Sequence, residues 1–200
     1  MTYSDAIKLQ EEIAKKVATE DDFDKINHIC GVDVAYNGYT AYCSAVVTDR
    51  NSQLLESVNA ETRTTHPYVP GLLMLREAEP IFHVLGLVKS DYDLLLVDGH
   101  GLLHPRKCGL ACYVGVTLDK PTIGVAKSRL CGTVRPDGFV QLRGEILGYL
   151  ISISKKLYVS VGHRVSLKTA IAIVKEFGTK SLRMADINSK IQKRRKGFRP

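Results

Sequence analysis

The chain has 200 residues, 44% of them hydrophobic and 24% charged, which suffices to bury one core and is ordinary for a soluble globular protein. No segment is long and apolar enough to cross a membrane, and the polar residues 1–16 exclude a secretory signal. The net charge of +7 favours a polyanionic partner. We therefore expect one domain over residues 1–200, no membrane association and a monomeric state.

The first third of the chain is predicted to form a helix followed by an antiparallel meander. Residues 3–18 have helical periodicity, and residues 28–36, 39–48 and 53–62 have the pattern of strands. The pair Asn37-Gly38 is a strong signal for a tight hairpin between the first two strands. Because the connecting turns are short, these three strands are expected to pair antiparallel.

The rest of the chain alternates between helices and strands. Helices are predicted over 71–88 (kinked at Pro80), 106–118, 167–177 and 179–195, and strands over 92–98, 121–128, 139–142 and 157–161. Residues 144–151 fit either type. This order predicts an α/β fold with a mixed sheet of five or more strands, an antiparallel meander plus parallel strands, flanked by helices. It matches the ribonuclease H-like architecture, in which the first strand lies beside the fourth.

Three carboxylates occupy positions where the pattern would otherwise be apolar. Asp33 lies inside the strand GVDVAY, Glu77 interrupts the apolar stripe of its helix, and Asp98 ends the strand LLLVD. A salt bridge, a backbone partner or contact with solvent would explain each of them alone. If the first and fourth strands are neighbours, however, converging carboxylates suit Mg²⁺ or Mn²⁺ and indicate phosphoryl transfer. Asp186, on the last helix, is a weaker fourth candidate ligand.

Several basic side chains are placed to assist such chemistry. Lys127 ends the strand PTIGVAKS and would orient water or stabilise the transition state, although an exposed strand-end lysine is the simpler interpretation. His104 follows Asp98 after a short loop, within reach of a phosphate or a metal-bound water. His163 and Arg164 precede a helix start, where backbone amides also bind phosphate.

Two further segments suit contact with nucleic acid. In the tetrapeptide Pro67-Tyr68-Val69-Pro70, two prolines stiffen the backbone and would hold Tyr68 outward as a wedge between bases. A plain proline-bounded turn is the alternative. The C-terminal tail is strongly basic and suits phosphates, or is simply solvated. Its cations are Lys190, Lys193, Arg194, Arg195, Lys196 and Arg199.

The cysteines indicate a cytoplasmic protein. They are odd in number and show no paired spacing, which is typical of reduced thiols. His104, Cys108 and Cys112 stand four residues apart and would suit zinc if they shared a helix face. Since zinc sites usually contain closer cysteine pairs and no fourth ligand is evident, packing of helices by small thiols is the preferred interpretation.

Together these residues resemble endonuclease V, the deoxyinosine-directed nuclease family, over nearly the whole chain. The resemblance rests on five segments: GVDVAY (31–36), PYVPGLLMLRE (67–77), DLLLVDGHGLLHPRKCGLA (93–111), KPTIGVAKSRLCG (120–132) and YVSVGHRVSL (158–167). The compact, basic form is typical of a prokaryotic, archaeal member. The resemblance implies a ribonuclease H-like fold and recognition of hypoxanthine, the product of adenine deamination.

The resemblance also implies a reaction and a set of residues. The family hydrolyses the second phosphodiester bond 3′ to the lesion in DNA and leaves 3′-hydroxyl and 5′-phosphate ends. It uses Mg²⁺, for which Mn²⁺ substitutes. The family's catalytic acids map onto Asp33, Glu77 and Asp98, with Glu77 binding metal directly or through water. Its lysine, histidine and wedge tyrosine map onto Lys127, His104 and Tyr68, and Asp186 matches members with aspartate at that position.

The sequence also predicts residues for the lesion pocket and allows several activities. We expect pocket walls from two glycine-containing segments, with contacts from Gly99, Gly101, Leu102, Gly124 and Ser128. Three alternatives to a DNA repair endonuclease are a structure-directed ribonuclease H-like nuclease, a ribonuclease specific for inosine, and a non-catalytic nucleic-acid-binding protein. Cleavage assays on DNA and RNA with and without inosine would separate them.

Overall fold

The computed structural model describes residues 2–152 and 155–197, with side chains described as far as residue 195. Five helices are present in this part of the chain: α1 (Tyr3–Ala14), α2 (Met74–Leu85), α3 (Leu110–Leu118), α4 (Leu167–Glu176) and α5 (Lys180–Gly197). The strands are β1 (His28–Asn37), β2 (Thr40–Asp49), β3 (Leu54–Arg63), β4 (Leu94–Asp98), β5 (Thr122–Ala126), β6 (Thr133–Val134), β7 (Phe139–Leu142), β8 (Glu145–Ser152) and β9 (Lys156–His163). No helix of residues 2–152 or 155–197 is long and apolar enough to cross a membrane.

The strands form one mixed sheet in the order β3-β2-β1-β4-β5-β9-β8-β7-β6. The predicted antiparallel meander β1-β2-β3 is confirmed, and β1 lies beside β4 in parallel, as expected for the ribonuclease H-like order. β5 continues the parallel set, whereas β9 runs antiparallel to β5. Of residues 144–151, which fitted either type of element, all but Gly144 belong to the strand β8, and Gly144 lies in the preceding turn.

Three predicted helices differ from the structure: the helix predicted over 3–18 ends at Ala14, and two others begin later than predicted. The helix predicted over 106–118 begins at Leu110, because Lys107 has a φ of +51°, a left-handed conformation that a helix does not contain. The helix predicted over 71–88 begins at Met74 and continues through Pro80. Pro80 has no N–H to donate to the carbonyl of Arg76, and the Tyr36 hydroxyl donates to that oxygen instead, at 2.9 Å. This replacement lets a proline remain inside α2.

The helices pack on both faces of the sheet, and one glycine sets how closely α5 approaches. On β1, Cys30 and Val32 pack in the core beneath α2, while Gly31 and Asp33 face α5. A Cβ on Gly31 would lie 2.2 Å from the backbone nitrogen of Leu182, a distance no side chain tolerates. Glycine at this position therefore allows α5 to cross β1 closely, and the polar residues of α5 reach Asp33.

Candidate functional site

Three carboxylates meet where parallel strands β1 and β4 are crossed by α5. Each of Asp33, Asp98 and Asp186 offers an oxygen, and these oxygens lie within 4.8 Å of one another. The predicted approach of Asp33 to Asp98 follows from the β1-β4 pairing, and α5 adds Asp186, the weakest of the sequence candidates. Three hard oxygen donors in this arrangement fit a Mg²⁺ or Mn²⁺ ion.

In this arrangement of three aspartates, the ionisation of Asp33 is disfavoured. Burial, followed by the charges of Asp98 and Asp186, raises the pKa of its carboxyl group to about 6. The Ser189 hydroxyl, which donates to Asp33 at 2.6 Å, opposes this shift only in part. A carboxylate that is costly to ionise in the metal-free protein is one whose charge a bound cation would stabilise.

Glu77 belongs to the same electrostatic environment but not to the three-carboxylate group. Burial raises the pKa of Glu77 well above its ordinary value, and the charges of Asp33 and Asp98 are the next largest causes. Its oxygens are not among those that lie within 4.8 Å of one another. The structure therefore places Glu77 near the acids, in a position compatible with an indirect role toward a metal ion.

Lys127 bridges two of the three acids. Its Nζ lies 2.5 Å from Asp98 Oδ2 and 2.6 Å from Asp186 Oδ1, and Lys190 Nζ is also 2.6 Å from that Asp186 oxygen. Burial lowers the pKa of Lys127, but its hydrogen bonds to Asp186 and Asp98 outweigh burial and raise that pKa above its ordinary value. Lys127 is therefore a charged group held directly beside the candidate metal ligands.

The Asp33→Asn substitution tests the cost of ionising this carboxyl group. The folded protein binds this proton more tightly than the unfolded chain, so metal-free stability falls as pH rises from about 4 to about 6. Above that window the full cost is present, and the substitution removes it. We expect Asp33→Asn to raise the free energy of unfolding by about 2 kcal/mol near pH 8 in a chelator, and by almost nothing near pH 4. Urea unfolding at both pH values measures this.

Magnesium provides the control for that experiment. Added Mg²⁺ should stabilise the wild-type protein near pH 8 and should stabilise the Asp33→Asn variant much less. A variant that is less stable than wild type at both pH values would show that Asp33 is instead a favourable structural partner.

We call Asp33, Asp98 and Asp186 the acid cluster. A cavity of about 270 Å³ opens directly beside it. Asp98 and Lys127 line it, together with Gly99 and Ser128, two of the residues predicted for the lesion pocket. His100 also lines it and is held by a contact of 2.9 Å between Nε2 and the carbonyl of Ser128. We call this cavity the strand-end pocket, because its walls follow the ends of β4 and β5.

Three other residues predicted for the pocket lie outside its lining, among the segments packed behind it. A Cβ on Gly101 would lie 2.0 Å from the carbonyl oxygen of Val161, and one on Gly124 would lie 2.6 Å from the nitrogen of Gly101. Leu102 packs among the hydrophobic residues near β9. These glycines therefore allow close contact between backbone segments, and the structure gives them no exposed surface toward a base.

Residues 67–70, which we call the wedge segment after the role predicted for them, lie at the rim of the strand-end pocket. Tyr68 is 62% exposed and is one of the pocket's lining residues. The flanking Pro67 and Pro70 are also exposed, while Val69 is half-buried and packs against the core. Val69 anchors the segment and Tyr68 projects from it, as the sequence predicted.

His104 has a different environment from the one expected of a phosphate ligand. It is 2% exposed, its Nδ1 accepts from the Arg106 backbone N–H at 3.2 Å, and its Nε2 lies 3.1 Å from the Gly71 carbonyl oxygen. Burial and the Arg106 charge lower the pKa of His104 to about 4. Because Nδ1 accepts, the proton of the neutral ring is on Nε2. His104 therefore holds Gly71, which lines the pocket just after the wedge.

Sequence reasoning missed two residues that share this role. Gln10 Nε2 and Arg106 Nη2 donate to the same Gly71 carbonyl at 3.1 Å and 2.6 Å, and Arg106 Nε donates to Gln10 Oε1 at 2.7 Å. Gln10 is 2% exposed and lies on the buried face of α1 with Ala6 and Ile13. A glutamine on the apolar face of an amphipathic helix was the available signal.

The zinc interpretation is wrong. Cys112 donates to the Val161 carbonyl at 3.5 Å, Cys108 is fully buried, and both pack with Ile13 of α1. Both nitrogens of His104 are already hydrogen-bonded within the protein. In the described part of the chain, the one group suited to a metal ion consists of aspartates. The two thiols therefore pack α1 against α3 and the segment just before it.

His163 and Arg164 lie far from the acids. His163 pairs with Thr122 at the start of β5, whereas Lys127 follows the end of that strand, roughly 15 Å away. His163 contacts the Ala18 backbone and Asp119, and Arg164 forms ion pairs with Asp119 and Asp22. Since β9 is antiparallel to β5, this helix start lies at the opposite end of β5 from the acids, and a phosphate contact there would be remote from the candidate site.

The basic tail is the last part of α5. Lys190 is hydrogen-bonded to Asp186. Gln192 donates to the Cys43 carbonyl and to the Asn59 side chain, both at 3.1 Å. Lys193, Arg194 and Arg195 are exposed. The side chain of Lys196 and the whole of Arg199 lie outside the described residues. The free cations of the tail therefore begin after Gln192.

The sequence and structure are similar to those of known endonucleases. A family model described as Endonuclease V matches residues 11–186. The Endonuclease V of Thermofilum pendens is 43% identical over 190 residues, which cover 90% of this chain and 82% of that protein. The Endonuclease V structure from Streptomyces avermitilis superposes with a TM-score of 0.89 at 29% identity, covering 98% of this chain and 95% of the other.

One further similar structure contains nucleic acid. It is the Ciona intestinalis Endonuclease V in complex with a 24mer DNA containing an inosine followed by a ribo-adenosine. It superposes with a TM-score of 0.85 at 27% identity, covering 96% of this chain and 98% of the other. The family model, the sequence relatives and the shared fold agree, and the chain therefore belongs to the endonuclease V family.

Proposed function

We propose that the protein is a DNA repair endonuclease that recognises deoxyinosine and hydrolyses the second phosphodiester bond on its 3′ side. The products carry 3′-hydroxyl and 5′-phosphate ends. One observation carries this proposal: the aspartate cluster with Lys127 opens directly onto the strand-end pocket, below an exposed tyrosine. We further propose that it acts as a single-domain monomer in the cytoplasm.

The strand-end pocket is proposed to hold the hypoxanthine base after it leaves the duplex. Tyr68 would fill the space that the base vacates and stack on its neighbour. Gly71, fixed by Gln10, His104 and Arg106, would give the pocket a rigid wall, which favours discrimination between similar bases. His104 is therefore proposed as a positioning residue for the wedge and pocket.

Asp33, Asp98 and Asp186 would hold the metal ion, with Glu77 binding it directly or through water. A bound Mg²⁺ would activate water and neutralise the charge that develops on the phosphate, and Mn²⁺ would substitute. Lys127 would orient the attacking water and donate to a phosphate oxygen from its place between Asp98 and Asp186. No side chain needs to form a covalent bond with the substrate.

A substrate panel tests the proposal. The same duplex is offered with deoxyinosine, with deoxyadenosine, as inosine-containing RNA, and as a branched or hybrid substrate without inosine, each with Mg²⁺ and with chelator. We expect Mg²⁺-dependent cleavage of the deoxyinosine strand. Preferential cleavage of the branched or hybrid substrate would identify a structure-directed nuclease, and preferential cleavage of the RNA an inosine-specific ribonuclease. Binding to every substrate without cleavage would indicate a non-catalytic protein.

The Tyr68→Ala substitution tests the wedge. Because stacking on an aromatic side chain contributes about 1–3 kcal/mol per base, we expect affinity for deoxyinosine DNA to fall by about tenfold. Affinity for undamaged DNA should change little. Tyr68→Phe is the matched control and should retain the preference. Equal losses on both DNAs, measured by anisotropy in chelator, would show that Tyr68 has no part in lesion recognition.

Neutralising the free cations of the tail tests its role. The triple substitution of Lys193, Arg194 and Arg195 by Gln leaves the Lys190 and Gln192 contacts intact. If all three cations contact phosphates, the slope of log affinity against log salt should become shallower by about 2–3.

The control removes the same charge from the opposite end of the sheet. Lys25, Lys89 and Lys120 precede the parallel strands β1, β4 and β5, and all three are exposed. Their replacement by Gln should leave the salt slope close to that of the wild type. Equal changes in both triple variants would mean that overall charge, and not the tail, determines the slope.

A further inference from the structure

A second, larger hollow of about 650 Å³ lies on the face of the sheet covered by α4 and α5. Strands β5, β8 and β9 form its base, and the two helices form its side. Its apolar lining consists of Val125, Ile151, Leu157, Val174 and Leu182. We call this hollow the α4–α5 groove. It is a separate hollow from the strand-end pocket, and of its lining the proposed mechanism uses only Lys127 and Asp186.

The rim of the α4–α5 groove is strongly positive. Lys155, Lys156, Lys175 and Arg183 line it and are exposed. Lys175 also lies 4.7 Å from the centre of the Tyr149 ring. Across residues 2–152 and 155–195, none of these four cations forms an ion pair with a carboxylate. A concave surface with an apolar base and four cations without carboxylate partners suits an anion that also has apolar faces, as a nucleic-acid strand does.

The acid cluster stands between the two hollows. Lys127 lines both of them, Asp98 lines the strand-end pocket, and Asp186 lines the α4–α5 groove. These three side chains are joined by hydrogen bonds of 2.5 Å and 2.6 Å. A strand that leaves the strand-end pocket and passes the acids therefore arrives at the α4–α5 groove.

We propose that the α4–α5 groove binds the single strand on the 3′ side of the scissile phosphate. This inference rests on the proposed function, because the base in the strand-end pocket and the cut on its 3′ side give the strand its direction. The rim cations contact the phosphates beyond the cut, and the apolar base accommodates the nucleobases. After hydrolysis, the same groove holds the product that begins with a 5′-phosphate.

The proposal predicts that activity depends on the length of the strand beyond the cut. Two single-stranded inosine substrates are compared: one extends roughly eight nucleotides past the cut, and the other ends one nucleotide past it. The groove variant carries Lys175→Gln and Arg183→Gln. The control variant carries Lys168→Gln and Lys180→Gln, which lie exposed on the same two helices outside the groove.

We expect kcat/KM of the groove variant to fall by about tenfold on the long substrate and to match that of the wild type on the short one. The control variant should behave as the wild type on both. A groove variant that keeps wild-type activity on the long substrate would overturn the proposal. So would an equal loss on both substrates, since that would mean a general effect of charge or folding.

A binding measurement keeps the proposal separate from the proposed function. A lesion-free oligonucleotide with a 5′-phosphate stands in for the downstream product. Its affinity should fall by about tenfold in the groove variant, with a salt slope shallower by about 1.4, and should stay unchanged in the control variant. If the protein does not cleave inosine DNA but the groove variant binds this oligonucleotide more weakly, the proposed function is rejected and the groove proposal is retained. If the protein cleaves inosine DNA and the wild type, groove variant and control variant bind the oligonucleotide equally, the groove proposal is rejected and the proposed function is retained.

Discussion

The Asp98→Asn variant is expected to bind deoxyinosine DNA with affinity within about threefold of the wild type and to lose cleavage by about a thousandfold or more. Asp98 lies at the end of a buried strand, paired with Lys127 and next to Asp33 and Asp186. The substitution removes one negative oxygen from the proposed metal site. It leaves the rigid strand and the strand-end pocket in place.

Single-turnover cleavage and anisotropy measure the two effects separately. Asp91→Asn is the matched control, since Asp91 is exposed and precedes the same strand at its opposite end. Excess Mn²⁺ should restore part of the lost activity if the defect lies in metal binding. Cleavage by Asp98→Asn near the wild-type rate in Mg²⁺ would contradict the assignment of Asp98 as a ligand.

The Lys127→Met variant is expected to cleave about 100-fold to 1000-fold more slowly at saturating Mg²⁺ while binding Mg²⁺ more tightly. Slower cleavage follows from losing the charge beside the phosphate. Tighter metal binding follows because Lys127 competes with the ion for Asp98 and Asp186, to which it is hydrogen-bonded in the metal-free protein. Opposite changes in rate and metal affinity would be hard to explain by a purely structural role.

Lys190→Met provides the comparison for Lys127. Lys190 contacts only Asp186 among the three acids, at 2.6 Å, and lies one turn further along α5. Its replacement should also strengthen Mg²⁺ binding but should leave the rate at saturating Mg²⁺ nearly unchanged. If both variants lost the same rate, or if Lys127→Met kept the wild-type rate, Lys127 would have no specific part in the reaction.

Much of the fold was predictable from the sequence because it depends on local patterns. Asn37-Gly38 identified the first hairpin, and the apolar run before Asp98 identified a central strand. Once β1 and β4 were expected to be neighbours, Asp33 and Asp98 followed as a pair. These predictions required only the type and order of the elements.

The remaining features depend on how closely and in which direction the elements pack against one another, and hydrophobic periodicity carries no information about this. Asp186 lies beside Asp33 and Asp98 because Gly31 lets α5 cross β1 closely. Nothing in the pattern of this very polar helix distinguishes Asp186 from its other charged residues. Gly101 and Gly124 were assigned to a base although they permit backbone packing, because the two uses of glycine look alike in sequence. The distance of His163 from the acids was not predictable, because the pattern identified β9 but not its direction.

Mapping the cut on an end-labelled deoxyinosine duplex tests the central claim most directly, because position, end chemistry and metal dependence are read together. The account predicts one cut at the second phosphodiester bond 3′ to inosine, with 3′-hydroxyl and 5′-phosphate ends, in Mg²⁺ and not in chelator. Cleavage that persists in chelator, or that occurs equally in the deoxyadenosine duplex, would contradict a lesion-directed nuclease built on Asp33, Asp98 and Asp186.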